Sequence, residues 1–276
     1  MSLGIVSNFA ADVAQRNLTQ SSEEATRSVA RLSSGTRVLS ARDDAAALAI
    51  GSRLNAEQEA LGQAQVNAGQ ANSMLQVADG AMARIDDILV RMNTLAVQAA
   101  SGQLDADSRG FLNDEFQELR LEIDRIAADT EFNSINLLNV TGTAADIAFQ
   151  VGTGNVVIED QIEVSLVDVT SGTLGTTGDI DTVTAALASI DQLSTALDAL
   201  NTARAGIGAS QNRLEFASQA VATTRENTEA ARSQLLDLDV ARESSNFASQ
   251  QILVQAGVAT LGQANALPQN LLSLFN

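Results

Sequence analysis

A seven-residue apolar repeat governs what this chain can fold into. Leu54, Leu61, Ala68, Leu75, Met82, Leu89 and Ala96 recur at every seventh position, and Ala64, Ala71, Ala78, Ile85, Met92 and Ala99 form a second row three residues later. Such a heptad pattern predicts one helix over residues 54–100 that buries two seams against a partner. Only Glu57 interrupts it, at the frayed start. At roughly 1.5 Å per residue, the segment would make a rod on the order of 70 Å long, too long to fit comfortably inside a sphere. Gly62, Gly69 and Gly80 each cost about 1 kcal/mol of helix propensity, so packing has to stabilise the rod.

A second repeat lies near the other end. Leu193, Leu200, Ile207, Leu214, Val221 and Leu235 fall at multiples of seven, with Thr228 in the remaining step. The companion row is read as Ile190 and Leu197, turning polar at Arg204 and Gln211, so this helix, over 181–235, packs on one side and is wet on the other. Two long striped helices far apart in sequence pair most simply with each other. Between them, Asp105 is the expected N-cap of a helix over 105–129 carrying Phe111, Leu112, Phe116, Leu119, Ile123 and Ile126. From 131 to 170 the period shortens toward two. Ile147, Phe149 and Val151, then Val156 and Ile158, then Ile162, Val164 and Leu166 predict a β-hairpin or small meander turning at Gly152-Thr153-Gly154-Asn155. The fold class is mainly α: a long antiparallel, coiled-coil-like rod with a small β-hairpin region and a pair of terminal helices.

Composition narrows the chemistry. The 276 residues carry 34 acidic and 16 basic side chains, a net charge of −18, which allows one or two modest domains and disfavours nucleic acid as a partner. Every basic residue is Arg, and Lys, His, Cys, Trp and Tyr are absent. No Ser-His, Cys-His or Lys-based nucleophile and no His or Cys metal site can be assembled, so neither catalytic residues nor a cofactor are expected. Carboxylates alone remain, and no pocket-forming pattern accompanies them as a hydrolase would require. A single proline and 3% aromatic residues favour long, closely spaced helices. The amino terminus lacks the features of a Sec-type signal. Residues 244–276 carry no charge, yet Gln and Asn recur too often there for a membrane span.

The chain ends form a third kind of segment. Leu3, Val6, Ala10, Val13, Leu18 and Leu32 at one end, and Phe247, Ile252, Leu253, Val258, Leu261, Leu267, Leu271, Leu272 and Leu274 at the other, leave more apolar surface than a lone molecule with little other core can hide. These residues are the expected subunit interface. Arg31, Arg37, Arg42 and Arg53 make the amino-terminal connector basic, and Arg31 and Arg37 are expected to meet carboxylates of a neighbouring copy. Asp43, with Ser40 three residues earlier, is read as a capping-box variant at a helix start. Asp237 and Asp239 suit either hydration at a connector or a salt bridge between subunits.

Several blocks in order carry a family resemblance. Gln15-Arg16-Asn17-Leu18, Arg31-Leu32-Ser33-Ser34-Gly35-Thr36-Arg37-Val38, Ser40-Ala41-Arg42-Asp43-Asp44-Ala45-Ala46 and Glu122-Ile123-Asp124-Arg125-Ile126-Ala127 with Phe132-Asn133 resemble the amino-terminal signature of bacterial flagellin. Ile252-Leu253-Val254-Gln255-Ala256-Gly257 and Gln263-Ala264-Asn265-Ala266-Leu267-Pro268-Gln269 are similar to its carboxyl-terminal block. The resemblance covers nearly the whole chain and fits a minimal flagellin without inserted surface domains. It implies a structural subunit that self-polymerises into the flagellar filament for swimming motility, with a hook-filament junction (hook-associated) protein as the alternative. Residues 1–40 and 236–276 would be terminal helices forming the filament core, and 41–235 a rod domain. It further implies unfolded export through the flagellum's own type III channel, an extracellular location, and as partners a secretion chaperone, hook-associated proteins and the cap. Arg91, Leu95 and Glu115 align with positions contacted by an innate immune Toll-like receptor, while Met92, Asn93 and Thr94 depart from the strongly sensed pattern.

Overall fold

The computed structural model describes residues 8–140 and 146–273, with side chains of the last helix described as far as residue 266. The elements in chain order are α1 (Phe9–Ser34), α2 (Ala45–Ala99), α3 (Ala106–Asp129), β1 (Glu131–Phe132), β2 (Ile135–Asn136), β3 (Asp146–Gln150), α4 (Val157–Asp160), β4 (Gln161–Ser165), α5 (Val183–Leu236) and α6 (Val240–Ser273). The fold is mainly helical. The chain divides into two compact units, one of residues 58–226 and one combining residues 1–57 with 227–276.

The unit of residues 58–226 is built on the heptad seams. From Leu61 to Ala99, both rows of α2 are buried. Opposite them Leu193, Leu200, Ile207, Leu214 and Val221 of α5 are buried too. Leu61 and Ala64 cluster with Val221, while Asp79 accepts a 3.0 Å hydrogen bond from Arg204 Nε, so the two helices run antiparallel. The companion row of α5 differs from expectation. It consists of Ser189, Ala196 and Ala203, all buried, whereas Ile190 and Leu197 are only partly buried at its flank. Small side chains at the seam let the backbones approach, and the larger ones one position along cover the edge.

Helix α3 starts as its sequence indicates, with the Asp105 carboxylate accepting from Ser108 N at 3.0 Å. Phe116, Ile123 and Ala127 enter the core, but Phe111 is 75% exposed and belongs to the solvent face, around the helix from the buried stripe. Asn133 and Ser134 have φ of 52° and 62°, so β1 and β2 are joined by a two-residue turn with both central residues left-handed. Strands β3 and β4 pair antiparallel from Asp146 opposite Ser165 to Gln150 opposite Gln161. Asn67 Nδ2 donates to Gln150 O at 3.0 Å and ties this hairpin to α2, with Ile162 and Val164 facing the core.

Val156 and Ile158 do not continue a strand as their spacing suggests. They belong to the single turn around α4, and Ile158 is 93% exposed. The Asp160 carboxylate sets this loop, accepting from Gly154 N at 3.1 Å and Val156 N at 3.0 Å. Gly152 and Gly154 pass so close to Asp160 that a Cβ on either would overlap its carboxylate. Local hydrogen bonds here override the β preference of the branched side chains.

Candidate assembly interface

In the unit of residues 1–57 and 227–276, α1 and α6 lie antiparallel along their length. Asn8 Nδ2 donates to Ala264 O at 2.8 Å, and Gln250 Nε2 donates to Glu24 Oε2 at 3.0 Å. Between these, Gly257 sits against Leu18, where a methyl group would come within 3.1 Å of Leu18 Cδ1. Nearer the connectors, Arg31 Nη1 stands 3.9 Å from Glu243 Oε1, and Glu243 is only 7% exposed. The pairing edge of α6 thus repeats every seven residues through Glu243, Gln250, Gly257 and Ala264.

The connectors are stitched by backbone bonds. Gly35 ends α1 in the left-handed conformation (φ 69°), its N–H bonded to Arg31 O. Arg37 N donates to Leu236 O at 2.7 Å and Leu238 N to Gly35 O at 3.0 Å. Arg37 Nη2 also donates to Leu235 O at 2.7 Å, and its Nη1 lies 3.9 Å from Asp44 Oδ2. Arg31 and Arg37, expected to meet a neighbouring copy, therefore already hold partners inside the chain. Helix α2 begins at Ala45 because Asp44, rather than Asp43, is its cap, accepting from Ala47 N at 2.9 Å. Asp43 instead closes the preceding turn through Leu39 N and Ser40 N. Asp239 caps α6 by accepting from Arg242 N at 3.0 Å.

Among the mostly polar side chains that the helix pair leaves outside, several large ones are apolar. Ile252 is 66% exposed, Leu253 and Val258 are more than half exposed, and Phe9, Val29 and Ala10 also face solvent. Val13, Leu18, Leu32, Phe247 and Leu261 are half-buried along the pairing face. Leu3, Val6 and Leu274 lie outside the described residues, and so do the side chains of Leu267, Leu271 and Leu272.

Of the three residues aligned with receptor contacts, Arg91 and Glu115 form an exposed ion pair bridging α2 and α3, with Nη2 to Oε1 at 2.6 Å and Nε to the same oxygen at 2.9 Å. Leu95 is 1% exposed and packed in the core, so its side chain offers no surface to a partner.

The electrostatics have a pH signature. For Asp43, desolvation pushes upward but is outweighed by hydrogen bonds from Leu39 N and from Ser40, with the Arg31 charge adding to them, and the carboxyl is held below its ordinary range. Hydrogen bonds from Ser108 do the same for Asp105, and the Arg125 guanidinium does it for Glu122. Depressed carboxyl values contribute stability above the unfolded-state values, near about 4, and lose it as pH falls through the folded-state values. The partner guanidiniums of Arg125 and Arg232 are raised, by Glu122 and Glu229 respectively, so their contribution is complete at any pH below the ordinary Arg range. With no His, Cys, Tyr or Lys, no side chain titrates between the two groups. The melting temperature of the monomer is therefore expected to stay level from about pH 6 to about pH 11 and to fall below about pH 4. A slope across the neutral-to-alkaline range in thermal scans would contradict this.

A heptad-seamed helical unit, together with a terminal helix pair showing apolar side chains outward, defines a self-associating helical structural protein. Comparison with known proteins agrees. The bacterial flagellin N-terminal helical region matches residues 5–143 and the C-terminal helical region matches residues 188–275. The chain is 36% identical to a flagellin of Halalkalibacterium halodurans over 268 residues, covering 97% of this chain and 98% of that one. It is 35% identical over 283 residues to the flagellar filament 33 kDa core protein of Treponema phagedenis, with the same shares covered. Among solved structures, Bacillus cereus flagellin matches with a TM-score of 0.52 at 34% identity, over 60% of this chain and 94% of that one. The chain belongs to the bacterial flagellin family.

Proposed function

We infer that the chain is the structural subunit of a bacterial flagellar filament, polymerising with copies of itself, and is not an enzyme. The observation that carries this is the α1/α6 pair: the two helices pack on each other, yet leave Ile252, Leu253 and Val258 exposed on a helix that has no charge after Glu243. A surface of that kind is stabilised only by burial against similar surfaces. A relative named as a flagellar filament core protein at 35% identity and one named as a flagellin at 36% support filament subunit over junction protein.

In the finer reading, residues 1–40 and 236–276 form the filament core and residues 41–235 the rod. Leu3, Val6, Leu267, Leu271, Leu272 and Leu274 extend the interface. The chain is exported unfolded to the cell exterior, a chaperone masks its carboxyl-terminal helix beforehand, and the hook-associated and cap proteins meet it at the filament ends. The uncharged apolar helix suits a masking partner, and the exposed Arg91–Glu115 pair suits a receptor that reads charge. Concentrated full-length protein added to sheared filament seeds is expected to lengthen them in negative stain. Rings or unchanged seeds would contradict the filament reading.

A further inference from the structure

The α1/α6 pair carries two grooves of unlike character. One, of about 320 Å³, is charged, lined by Glu24, Arg27, Arg31, Glu243 and Asn246 among others. The other, of about 350 Å³, has no charged lining residue: Ala25, Val29, Phe247 and Val254 supply its apolar half and neutral hydroxyl and amide side chains, from Ser22, Thr26, Gln251 and Gln255, the other half. A third surface is the outer edge of α6. Ala248, Ile252 and Ala259, spaced by four and seven residues, follow the side of the helix opposite the edge that meets α1, and all are exposed. Ile252 stands there as a knob between small neighbours.

We propose that the Ile252 ridge of one copy seats in the uncharged groove of the next copy. The proposal rests on the polymerisation reading and adds which two surfaces meet. Charge decides the choice of groove. Residues 244–276 carry no charge, so ridge and uncharged groove come together without desolvating an ion or opposing like charges, in a chain whose net charge of −18 repels its copies elsewhere. The charged groove would bury Arg27 and Glu24 under an aliphatic side chain that can pair with neither. Size agrees as well, since a ridge of one branched residue flanked by alanines is the shape that enters a groove between two helices. Ridge and groove are distinct, adjoining surfaces of the same helix pair, with Gln251 and Gln255 between them, so each copy offers both, and the contact is head-to-tail. Such contacts continue indefinitely unless their rotation closes a ring.

The chain contains no cysteine, so engineered thiols report without background. Full-length Ile252→Cys and Ala25→Cys chains, each diluted with unmodified chain, would be grown together on seeds, oxidised with copper phenanthroline and run on a non-reducing gel. A disulfide forms only where the two Cα atoms come within about 7 Å. The expected result is a cross-linked dimer in this mixture above the level of filaments containing either variant alone, and none above that level when Ser249→Cys, in the charged groove, replaces Ala25→Cys. Filaments that grow normally but link to Ser249→Cys, or link to neither, would overturn the groove assignment while leaving polymerisation intact. Failure of the unmodified chain to extend seeds would instead remove the polymerisation reading, and this inference with it.

Discussion

An Ala78→Glu substitution is expected to unfold the unit of residues 58–226, or to lower its stability by more than about 4 kcal/mol. Ala78 is fully buried where the second heptad row of α2 meets the core. A glutamate there adds volume to a seam already packed with alanines and takes a carboxylate out of water with no cation placed to receive it. Domains of this size are stable by roughly 5–15 kcal/mol, so the loss is a large share of the whole. Val90→Glu, on the exposed face of the same helix, is expected to change stability by no more than about 0.5 kcal/mol. Thermal unfolding followed by circular dichroism separates the two. Equal melting of both variants would mean that the heptad rows do not form the seam described.

Removing residues 1–34 and 240–276 is expected to abolish seeded elongation altogether while leaving a cooperative unfolding transition in what remains. The buried cluster from Ala68 to Leu214 belongs wholly to residues 58–226, so it loses none of its own contacts. What disappears is α1, α6 and every exposed aliphatic group they carry. Elongation assays on the truncated chain test this, and fibres of ordinary length from it would contradict the assignment of assembly to the terminal helices.

The long helices and the cap at Asp105 were legible because they rest on local or periodic signals: heptad spacing, and a carboxylate three residues before an amide. The register of the second seam on α5 was not, because Ser189, Ala196 and Ala203 carry almost no hydrophobic signal and Ile190 and Leu197 carry a strong one. Which row faces inward is decided by how closely the opposite helix approaches, a property of the pair. The turn around Val156 and Ile158 misled for the opposite reason. Branched residues at alternating positions speak for a strand, but the Asp160 carboxylate organises the loop through backbone amides. At the interface, the apolar groups read from the chain ends include Ile252, Leu253 and Val258, which are exposed. The partners of Arg31 and Arg37 were hidden because Glu243 and Leu235 lie about two hundred residues away in sequence. Leu95 is a seam-flanking leucine with its side chain in the core, which a position aligned by family pattern alone does not reveal.

Amide hydrogen exchange along α1 and α6, in dilute monomer and in grown filament, tests most directly whether these helices are completed only by other copies. Local stability follows the number of buried apolar contacts, and among the described residues of the lone chain the two helices pack chiefly on each other. Fast exchange over residues 9–34 and 240–266 in the monomer, with slow exchange throughout 61–99, and strong protection of all three stretches in the filament, is the predicted result. Terminal helices as protected in the monomer as in the filament would contradict it.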